Sequence, residues 1–218
     1  MTELKNQTET IIEKKFNIVF GNQNLRLDDL KKLNPQLLRQ VHGSTIIKSS
    51  NMCREADGHW TDSHNQALVI KTADCLPIFI FDRGRAFALH AGWRGVKKRI
   101  LSKALEMCHS PRSAQIYIGP HIQMKSFQLD HASSQGLLKE HNLSVPQALR
   151  LSIARPSITQ ENHYHISLGK LVIREAQSYH LRPAYISPID TFLSPQHNSY
   201  RRNRLNQQRN FSLITLTG

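Results

Sequence analysis

Residues 66–95 read QALVIKTADCLPIFIFDRGRAFALHAGWRG, and this stretch decides the expected fold. It contains three apolar runs of strand length, at residues 66–71, 76–81 and 85–90. Asp82-Arg83-Gly84 separates the last two runs and has the composition of a turn, which predicts a hairpin. The stretch therefore predicts three strands, with reactive polar residues placed where apolar strands end.

The rest of the chain alternates between helix and strand patterns. Apolar residues recur every three to four positions after Gly95, which predicts one amphipathic helix that ends at Ser110-Pro111. Residues 28–39 have helical spacing interrupted by Pro35. Further helices are predicted at residues 131–141 and 168–180, and further strands at residues 16–20, 45–48, 115–118, 164–167, 184–189 and 211–216. This interleaving predicts a mixed α/β fold, with a frayed or helical polar lead over residues 1–15 and a single domain over residues 16–218.

The composition limits the class of protein. The chain has 218 residues, 39% of them apolar, which is enough for one substantial core. No apolar run approaches the roughly 20 residues of a membrane-spanning helix, and the polar start lacks the apolar segment of a secretory signal. Three cysteines, Cys53, Cys75 and Cys108, argue against a disulfide scaffold and for a reducing compartment. We therefore expect a cytoplasmic protein with no membrane partner.

The chain is strongly basic. It has 29 Lys and Arg against 16 Asp and Glu, a formal net charge of +13, and such a field attracts anions. The alternative is a solvated basic surface without a ligand. Arg201 to Arg209 form a basic cluster beside Tyr200, so a nucleic-acid-binding module is a further alternative. Because the chain shows no helix-turn-helix, zinc-finger or RNA-recognition pattern, nucleic acid is not the expected partner.

Three candidate metal ligands, His42, Cys75 and His90, stand near the ends of predicted strands. Two imidazoles and a thiolate suit Zn²⁺, and a catalytic zinc site has three protein ligands and one position for water or substrate. Zinc brings the pKa of a bound water to about 7, which provides hydroxide at neutral pH. The spacing matches no C-x-x-C or H-E-x-x-H pattern, so spacing alone leaves open a buried cysteine with two hydrogen-bonded histidines.

A glycine-rich turn follows the third candidate ligand, in the segment HAGWRG at residues 90–95. Gly92 and Gly95 allow close approach of the backbone to a ligand, and the helix N-terminus that follows favours an anion. Arg94 adds a planar set of donors for phosphate or carboxylate. An ordinary strand-to-helix connection would explain the glycines, but not His90 and Arg94 together.

Six short motifs resemble those of one known family and occur in the same order. They are Gln40-Val-His-Gly43, Asp57-Gly-x-x-Thr61, Thr72-Ala-Asp-Cys-x-Pro77, His90-Ala-Gly-Trp-Arg-Gly95, Gly119-Pro-x-Ile122 and Ser199-Tyr-Arg-Arg202. The family is the laccase-domain family, also called the multicopper polyphenol oxidase, purine nucleoside phosphorylase or peptidoglycan-editing factor family. The resemblance runs from residue 40 to the C-terminus, and its most specific part is the block over residues 72–95.

The resemblance implies a fold of two packed mixed β-layers flanked by helices, an α/β/β/α arrangement related to cytotoxic-necrotizing-factor-like cysteine hydrolases. It implies His42, Cys75 and His90 as the ligands of a metal that is usually zinc, although copper gave the family its older name. The reactions of the family are phosphorolysis of purine nucleosides and deamination of adenosine. A zinc-dependent enzyme acting on a purine nucleoside and phosphate is therefore the expected function.

The candidate residues take expected roles within that scheme. Asp74 or Asp57 would orient ligands or accept a sugar hydroxyl, although Asp74 could equally cap the end of a strand. The expected catalytic residues are Cys75, His90 and Asp74. The expected substrate-binding residues are Gln40, Asp57, Arg94, Arg201 and Arg209, with the arginines holding anionic oxygens.

The chain departs from the family pattern in four places. Residues 16–40 are short and lack an Arg-Gly-Gly loop and a Ser-Leu-Asn segment. A carboxylate is missing at Phe127-Gln128-Leu129, and a Cys-Thr pair is Asp190-Thr191. The usual Arg-Arg-Asp with a later Gly-Arg is Arg201-Arg202-Asn203 with Gln208-Arg209. The metal ligands are retained while the substrate wall is altered, so the substrate and the activity itself stay open.

Two other enzyme classes are the rival interpretations. A laccase-like copper oxidoreductase needs a type-1 site and a trinuclear cluster, and so many more histidine ligands than three. His163 and His165 face the same side of a predicted strand and could add a site, but partly exposed strand residues are the simpler interpretation. An amide hydrolase of cell-wall precursors would use zinc, or would use Cys75 as nucleophile and His90 as base. The oligomeric state is left open.

Overall fold

Two packed β-sheets form the centre of the computed structural model, which describes residues 8–50, 52–64 and 66–217. In chain order the strands are β1 (Thr8–Ile12), β2 (Phe16–Gly21), β3 (Pro35–Gln36), β4 (Leu38–Arg39), β5 (Ile46–Lys48), β6 (Arg54–Glu55), β7 (Gly58–Thr61), β8 (Ala67–Thr72), β9 (Leu76–Asp82), β10 (Arg85–Ala91), β11 (Gln115–Ile118), β12 (Gln128–Asp130), β13 (Ala154–Pro156), β14 (His163–Ile166), β15 (Tyr185–Ile186) and β16 (Asn210–Leu216). The α-helices are α1 (Trp93–Lys97), α2 (Ile100–Glu106), α3 (His131–Glu140), α4 (Val145–Arg150) and α5 (Leu168–Gln177), and 3₁₀ helices span Leu27–Leu33 and Pro111–Ser113.

Both main sheets mix parallel and antiparallel pairs. The first has five strands in the order β1-β2-β16-β8-β3, and the second has six in the order β15-β11-β9-β10-β7-β5. Strands β12, β14 and β13 form a small third sheet, and β4 pairs with β6. The expected β9–β10 hairpin is present. The mixed α/β single-domain fold expected from the sequence is confirmed.

Residue alternation along β9 explains how the layers pack. Ile78 and Ile80 belong to a buried apolar cluster that they share with the helices. Phe79 and Phe81 belong to a second cluster with residues of the five-stranded sheet, and the rings of Phe79 and Phe20 lie 5.4 Å apart. Both faces of β9 are therefore buried, which explains why its sequence is continuously apolar. The layers run from helices to the six-stranded sheet and then to the five-stranded sheet.

The outer face of the five-stranded sheet has a thin helical cover. Val69 and Leu213 on this face form an apolar cluster with Leu25 and Leu30, and Leu30 belongs to the 3₁₀ helix Leu27–Leu33. The helical spacing expected over residues 28–39 ends there, because the next residues form the short strands β3 and β4. The fourth layer of the α/β/β/α arrangement is thus a 3₁₀ helix.

Three details of the sequence-based interpretation are wrong. Residues 8–12 of the expected frayed or helical lead form the edge strand β1, paired antiparallel with β2, while residues 1–7 lie outside the described residues. The single helix expected after Gly95 is divided into α1 and α2, because Arg99 between them has a left-handed φ of 57°. The strand expected over residues 184–189 is only the two residues of β15, since the flanking Pro183 and Pro188 have no N–H to donate to a ladder.

The register of the six-stranded sheet brings several chain segments to one edge. In the β9–β10 hairpin it places Cys75 beside Gly92, just beyond the last strand pair. β7 begins next to the end of β10, so Asp57 lies beside His90, whose backbone N–H donates to the Asp57 carbonyl at 2.7 Å. These segments form the floor of a candidate site.

Candidate metal centre

Three side chains converge at this edge of the six-stranded sheet. His42 lies in the turn after β4, Cys75 directly precedes β9, and His90 lies near the end of β10. One ligand atom from each, two imidazole nitrogens and the thiol sulfur, lie within 4.8 Å of one another. The imidazole rings meet edge to face with 4.8 Å between their centroids. His42 is exposed, Cys75 is half-buried and His90 is buried. The structure thus brings the three predicted metal ligands together.

Gly92 makes this convergence possible. A Cβ atom at this position would lie 2.9 Å from the Cys75 sulfur and 3.2 Å from Cδ2 of His42. Its φ of −72° is open to any residue, so the requirement for glycine is steric. The close approach expected from the glycine-rich turn is therefore made against two of the three ligand side chains.

Asp57 holds the floor together from beneath. Its side chain is fully buried and accepts hydrogen bonds from the backbone N–H groups of Val41 (3.2 Å), His42 (2.9 Å) and Gly43 (2.6 Å). It also pairs with Nδ1 of His90 at 2.8 Å, which leaves Nε2 of that ring for a ligand. A carboxylate behind a ligating imidazole fixes the tautomer and orientation of the ring.

The pKa values of Cys75, His90 and Asp57 in the floor depend on one another. Burial raises the pKa of the Cys75 thiol, but the charge of His90 and hydrogen bonds from His42 and His90 outweigh burial and bring that pKa to about 6. Burial lowers the pKa of His90, but the Cys75 charge and the Asp57 hydrogen bond raise it to about 9. Burial likewise opposes ionisation of Asp57, yet hydrogen bonds from His90 and Gly43 hold its pKa below the ordinary value. The thiolate, the form of cysteine that binds metals and attacks electrophiles, is therefore favoured.

A cavity of about 740 Å³ opens over the three ligands. This volume lies within the roughly 300–1,000 Å³ of small-molecule sites. An apolar wall is formed by Trp93, Ile122, Phe127, Leu129 and Leu168. The charged lining consists of Arg39, Lys71, Arg94, Arg201, Arg204, Arg209 and Asp74. The cavity therefore combines an apolar surface with a strongly basic one.

Asp74 connects the floor to the C-terminal segment. It has a φ of 89°, and its carboxylate accepts hydrogen bonds from the Thr191 hydroxyl (2.8 Å) and from the backbone N–H of Arg201 (2.7 Å). Both carboxylate oxygens are thus engaged by the protein. The geometry gives Asp74 a positioning role for Arg201, although its side chain also lines the cavity.

Of the residues predicted to bind substrate, Gln40, Arg94, Arg201 and Arg209 line the cavity, whereas Asp57 lies behind the floor. The Gln40 amide donates to the Lys71 carbonyl at 2.7 Å and accepts from its N–H at 2.9 Å, so this side chain braces the end of β8. A direct contact between Asp57 and substrate does not fit this geometry, because the residue is fully buried.

Sequence reasoning missed several residues of the cavity. Lys71 and Arg204 add cations, Tyr200 adds an aromatic ring, and the apolar wall includes Leu129 and Leu168. Lys71 directly precedes the Thr72-Ala-Asp-Cys motif, and Tyr200 and Arg204 belong to the basic cluster, so position next to a motif was the available signal. Of the apolar wall, only Leu168 has no such signal, because Trp93, Ile122, Phe127 and Leu129 lie in segments that the sequence analysis had already singled out.

The departures from the family pattern have a structural account at two points. The Gln128 side chain donates to the Ser157 hydroxyl at 2.6 Å, and only its backbone carbonyl serves the site, by accepting from Arg201 Nη2 at 3.0 Å. Thr191 keeps a hydroxyl against Asp74. The side chain at position 128 therefore does not line the cavity, and the carbonyl that binds Arg201 belongs to the backbone.

Other candidate ligands stay apart from this centre. Nδ1 of His163 contacts the Glu161 carbonyl and Nδ1 of His165 contacts the Met124 carbonyl, so one nitrogen of each ring is engaged by the backbone. Among the residues that the structure describes, the three-ligand cluster is the only such group of metal-binding side chains. Cys53 and Cys108 are free thiols. In the same described ranges, no helix has both the length and the apolar character needed to cross a bilayer.

One solved structure and two purine nucleoside phosphorylases are similar to this chain. A solved Neisseria meningitidis protein shares the fold, with a TM-score of 0.83, 18% identity and coverage of 97% of this chain and 100% of that one. A purine nucleoside phosphorylase of Pseudomonas aeruginosa is 33% identical over 108 residues, which is 48% of this chain and 45% of the relative. Another from Haemophilus influenzae is 29% identical over 176 residues, 78% of this chain and 69% of the relative. The chain thus spans less than half the length of the first relative.

The family comparison covers nearly the whole described structure. The model of the multi-copper polyphenol oxidoreductase laccase family matches residues 16–217, which include the floor, the cavity walls and both main sheets except strand β1. On this match, and with the resemblance of its motifs, the chain belongs to the multi-copper polyphenol oxidoreductase laccase family.

Proposed function

We propose that this chain is a zinc-dependent purine nucleoside phosphorylase whose metal is held by His42, Cys75 and His90. The observation that carries the proposal is the convergence of three ligand atoms within 4.8 Å at the floor of a basic and apolar cavity. The purine nucleoside phosphorylases among the relatives support the choice of substrate.

The donor set fits zinc. Zinc takes thiolate sulfur at about 2.3 Å and imidazole nitrogen at about 2.0–2.1 Å, and catalytic sites use three protein ligands. The missing Cβ at Gly92 leaves space directly beside the sulfur and the His42 ring. Asp57 supports His90 as a carboxylate supports a zinc-bound histidine. When bound, the metal would supply a positive charge that polarises an oxygen of phosphate or substrate.

The reaction requires the residues of the chain to bind, orient and exclude water. In phosphorolysis the bond between the sugar C1′ and the purine nitrogen breaks, an oxygen of hydrogen phosphate forms a bond to C1′, and the purine nitrogen gains the proton that the hydrogen phosphate loses. Arg94 and Arg201 can hold the phosphate oxygens, and the purine can pack on Phe127 and Leu129. Asp74 acts as a positioning residue by holding the backbone of Arg201. Deamination of adenosine would use the same purine-binding wall.

A second candidate function has one specific observation in its favour. Cys75, His90 and Asp57 form a thiol–imidazole–carboxylate sequence, with the His90 to Asp57 contact at 2.8 Å and the Cys75 pKa lowered to about 6. A cysteine amide hydrolase uses such a set: the thiolate attacks the amide carbonyl, His90 gives a proton to the leaving amine, and water releases the acyl group. His42 has no necessary role in that mechanism, which favours the metal interpretation.

The remaining alternatives have less support. A multicopper oxidase needs more histidine ligands than the one three-residue cluster found in the described ranges provides. Within the basic cluster that suggested a nucleic-acid module, the guanidinium of Arg202 is engaged by the carbonyls of Thr191, Phe192 and Ser194.

The test combines reaction and thiol chemistry. Purified protein should release purine base from nucleosides only when phosphate is present, and chelation should abolish release; ammonia release without phosphate would identify deamination. Iodoacetamide labelling of Cys75 should be slow until a chelator is added, because zinc protects a bound thiolate. Rapid labelling of untreated, active protein would support the cysteine hydrolase instead.

A further inference from the structure

The cavity has more positive charge than a single phosphate requires. Six cationic side chains line it against one carboxylate, and both oxygens of that carboxylate, Asp74, are already engaged by Thr191 and Arg201. Within the described residues, Arg39 alone among the six is in an ion pair, with Glu55 at 2.6 Å. Like charges held together without counter-charges repel one another, so this arrangement favours an anionic ligand.

These cations lie on two different walls. Arg94 follows the glycine turn after β10, and the backbone of Arg201 is bound to Asp74 beside the cysteine, so this pair stands by the metal ligands. Lys71 is near the end of β8, and Arg209 directly precedes β16, whose Phe211 pairs with Lys71. This second pair therefore belongs to the five-stranded sheet, whereas the metal ligands His90 and Cys75 belong to the six-stranded one.

The second pair is held in place and has donors available. The Gln40 amide makes two hydrogen bonds to the backbone of Lys71, which fixes the strand end that carries this side chain. Nη1 of Arg209 donates to the carbonyls of Asn206 and Gln208, while its Nη2 and Nε make no hydrogen bond within the described residues. Both residues line the cavity, and Nη2 and Nε of Arg209 are available to a ligand there.

We propose that Lys71 and Arg209 form a second anion subsite, and that the substrates are nucleosides with a phosphate on the sugar, of which nucleoside 5′-monophosphates are the simplest. The inference rests on the proposed function, which assigns the first anion position at Arg94 and Arg201 to the attacking phosphate. A sugar phosphate would then meet the second pair, on the opposite sheet, while the base packs on the apolar wall. The cations converge in a cavity and not along a surface track, so a small ligand fits better than a nucleic-acid strand.

The experiment measures binding without turnover. Adenosine 5′-monophosphate and adenosine are titrated calorimetrically into the purified chain with saturating sulfate, which occupies the first anion position but cannot attack the sugar. The monophosphate should bind at least about tenfold more tightly, as expected for charge-assisted hydrogen bonds. The double variant Lys71→Gln/Arg209→Gln should lose this margin, and Arg83→Gln, on the exposed hairpin turn, should keep it.

Equal binding of the two ligands in sulfate, or a margin retained by the double variant, would overturn the inference. If the double variant does not fold, the native chain decides: the margin should narrow as sodium chloride is added, and a salt-independent margin would count against the subsite. Failure of the proposed function has a different signature, namely no phosphate-dependent base release from any nucleoside while the binding margin remains.

Discussion

The floor of the cavity and its C-terminal wall are built in different ways. The floor, formed by His42, Asp57, Cys75, His90 and Gly92, consists of strand ends whose positions follow from sheet register and from the buried bonds of Asp57. The wall, residues 197–209, has no helix or strand and is held by a few side chain–backbone bonds. The Arg202 side chain makes four of these bonds, to the carbonyls of Thr191, Phe192, Ser194 and His197. The sheets can therefore keep the candidate metal ligands in place, while sequence changes in residues 197–209 can alter which substrate the cavity binds.

The largest effect is expected on the floor. His42→Ala, Cys75→Ala and His90→Ala should each remove most of the zinc, expected at about one ion per chain, and should lower base release by more than the roughly 10–100-fold typical of a lost supporting residue. Elemental analysis and nucleoside assays measure both. Cys53→Ser and Cys108→Ser should behave like the native chain, because neither thiol is near the cluster. Full zinc in all three ligand variants would refute the assignment.

A second prediction tests the support beneath the floor. Asp57→Asn retains the size of the side chain but replaces one carboxylate oxygen with an NH2 group. The variant therefore cannot accept hydrogen bonds from all three backbone N–H groups and from His90, as Asp57 does with its two oxygens. Zinc affinity should fall about 10–100-fold, as measured by competition with a chromogenic chelator. Asp62→Asn is the matched control, since Asp62 is an exposed partner of Lys48. Native zinc affinity in Asp57→Asn would show that the floor holds itself without this carboxylate.

The same contrast explains what could be predicted from the sequence. The ligand set and the β9–β10 hairpin lie in contiguous motifs, where an apolar run followed by a reactive residue marks a strand end. The role of Asp57 could not be assigned, because a buried carboxylate and a substrate-binding one have the same sequence pattern.

The elements that sequence reasoning missed depend on contacts between distant segments. At the break between α1 and α2, the Arg99 guanidinium donates to the Glu140 carbonyl at 3.1 Å and pairs with the Glu175 carboxylate at 3.5 Å. The wall, residues 197–209, has no helix or strand, and hydrogen bonds from Arg202 to carbonyls help to hold its conformation. Helix α4 was recoverable, since Ser144 and Gln147 form a capping box that sequence reasoning overlooked.

A third prediction addresses the wall. Arg202→Ala removes charged hydrogen bonds to several carbonyls, so the free energy of unfolding should fall by about 1–3 kcal/mol. KM for phosphate should rise most, because Arg201, to which the attacking phosphate is assigned, loses its position together with Arg204 on the same segment, while the floor does not. Thermal melts and steady-state kinetics measure the two effects, with Arg83→Ala as the control. A fall in kcat with unchanged KM would mean that the wall takes part in the chemistry.

The smallest expected effect is a difference between the floor and the wall, residues 197–209, in how their stability depends on pH. Burial, with a further contribution from the Arg202 charge, lowers the pKa of His197 in the wall to about 4. The unfolded chain takes up this proton near pH 6.5, so between pH 6.5 and 4 the unfolded state binds more protons and the free energy of unfolding falls as the pH falls. At pH 5.5 the loss from His197 should be about 1 kcal/mol. His197→Asn, which can keep a hydrogen bond to Ser194, should have a shallower slope, although buried His59, with a pKa of about 3, should maintain part of it.

Hydrogen exchange at pH 5.5 and 7.5 locates the effect. Amides of residues 197–209 should exchange faster in acid after correction for the intrinsic rate, and in His197→Asn this difference should shrink. The floor should follow much less, because the lowered pKa of Cys75, about 6, and the raised pKa of His90, about 9, contribute to the free energy of unfolding with opposite signs and largely cancel between pH 5.5 and 7.5. Parallel stability curves for the native chain and His197→Asn between pH 4.5 and 6.5 would show that folding does not lower the pKa of His197. Equal acid acceleration of exchange in the floor and in residues 197–209 would show that the two regions unfold as one unit.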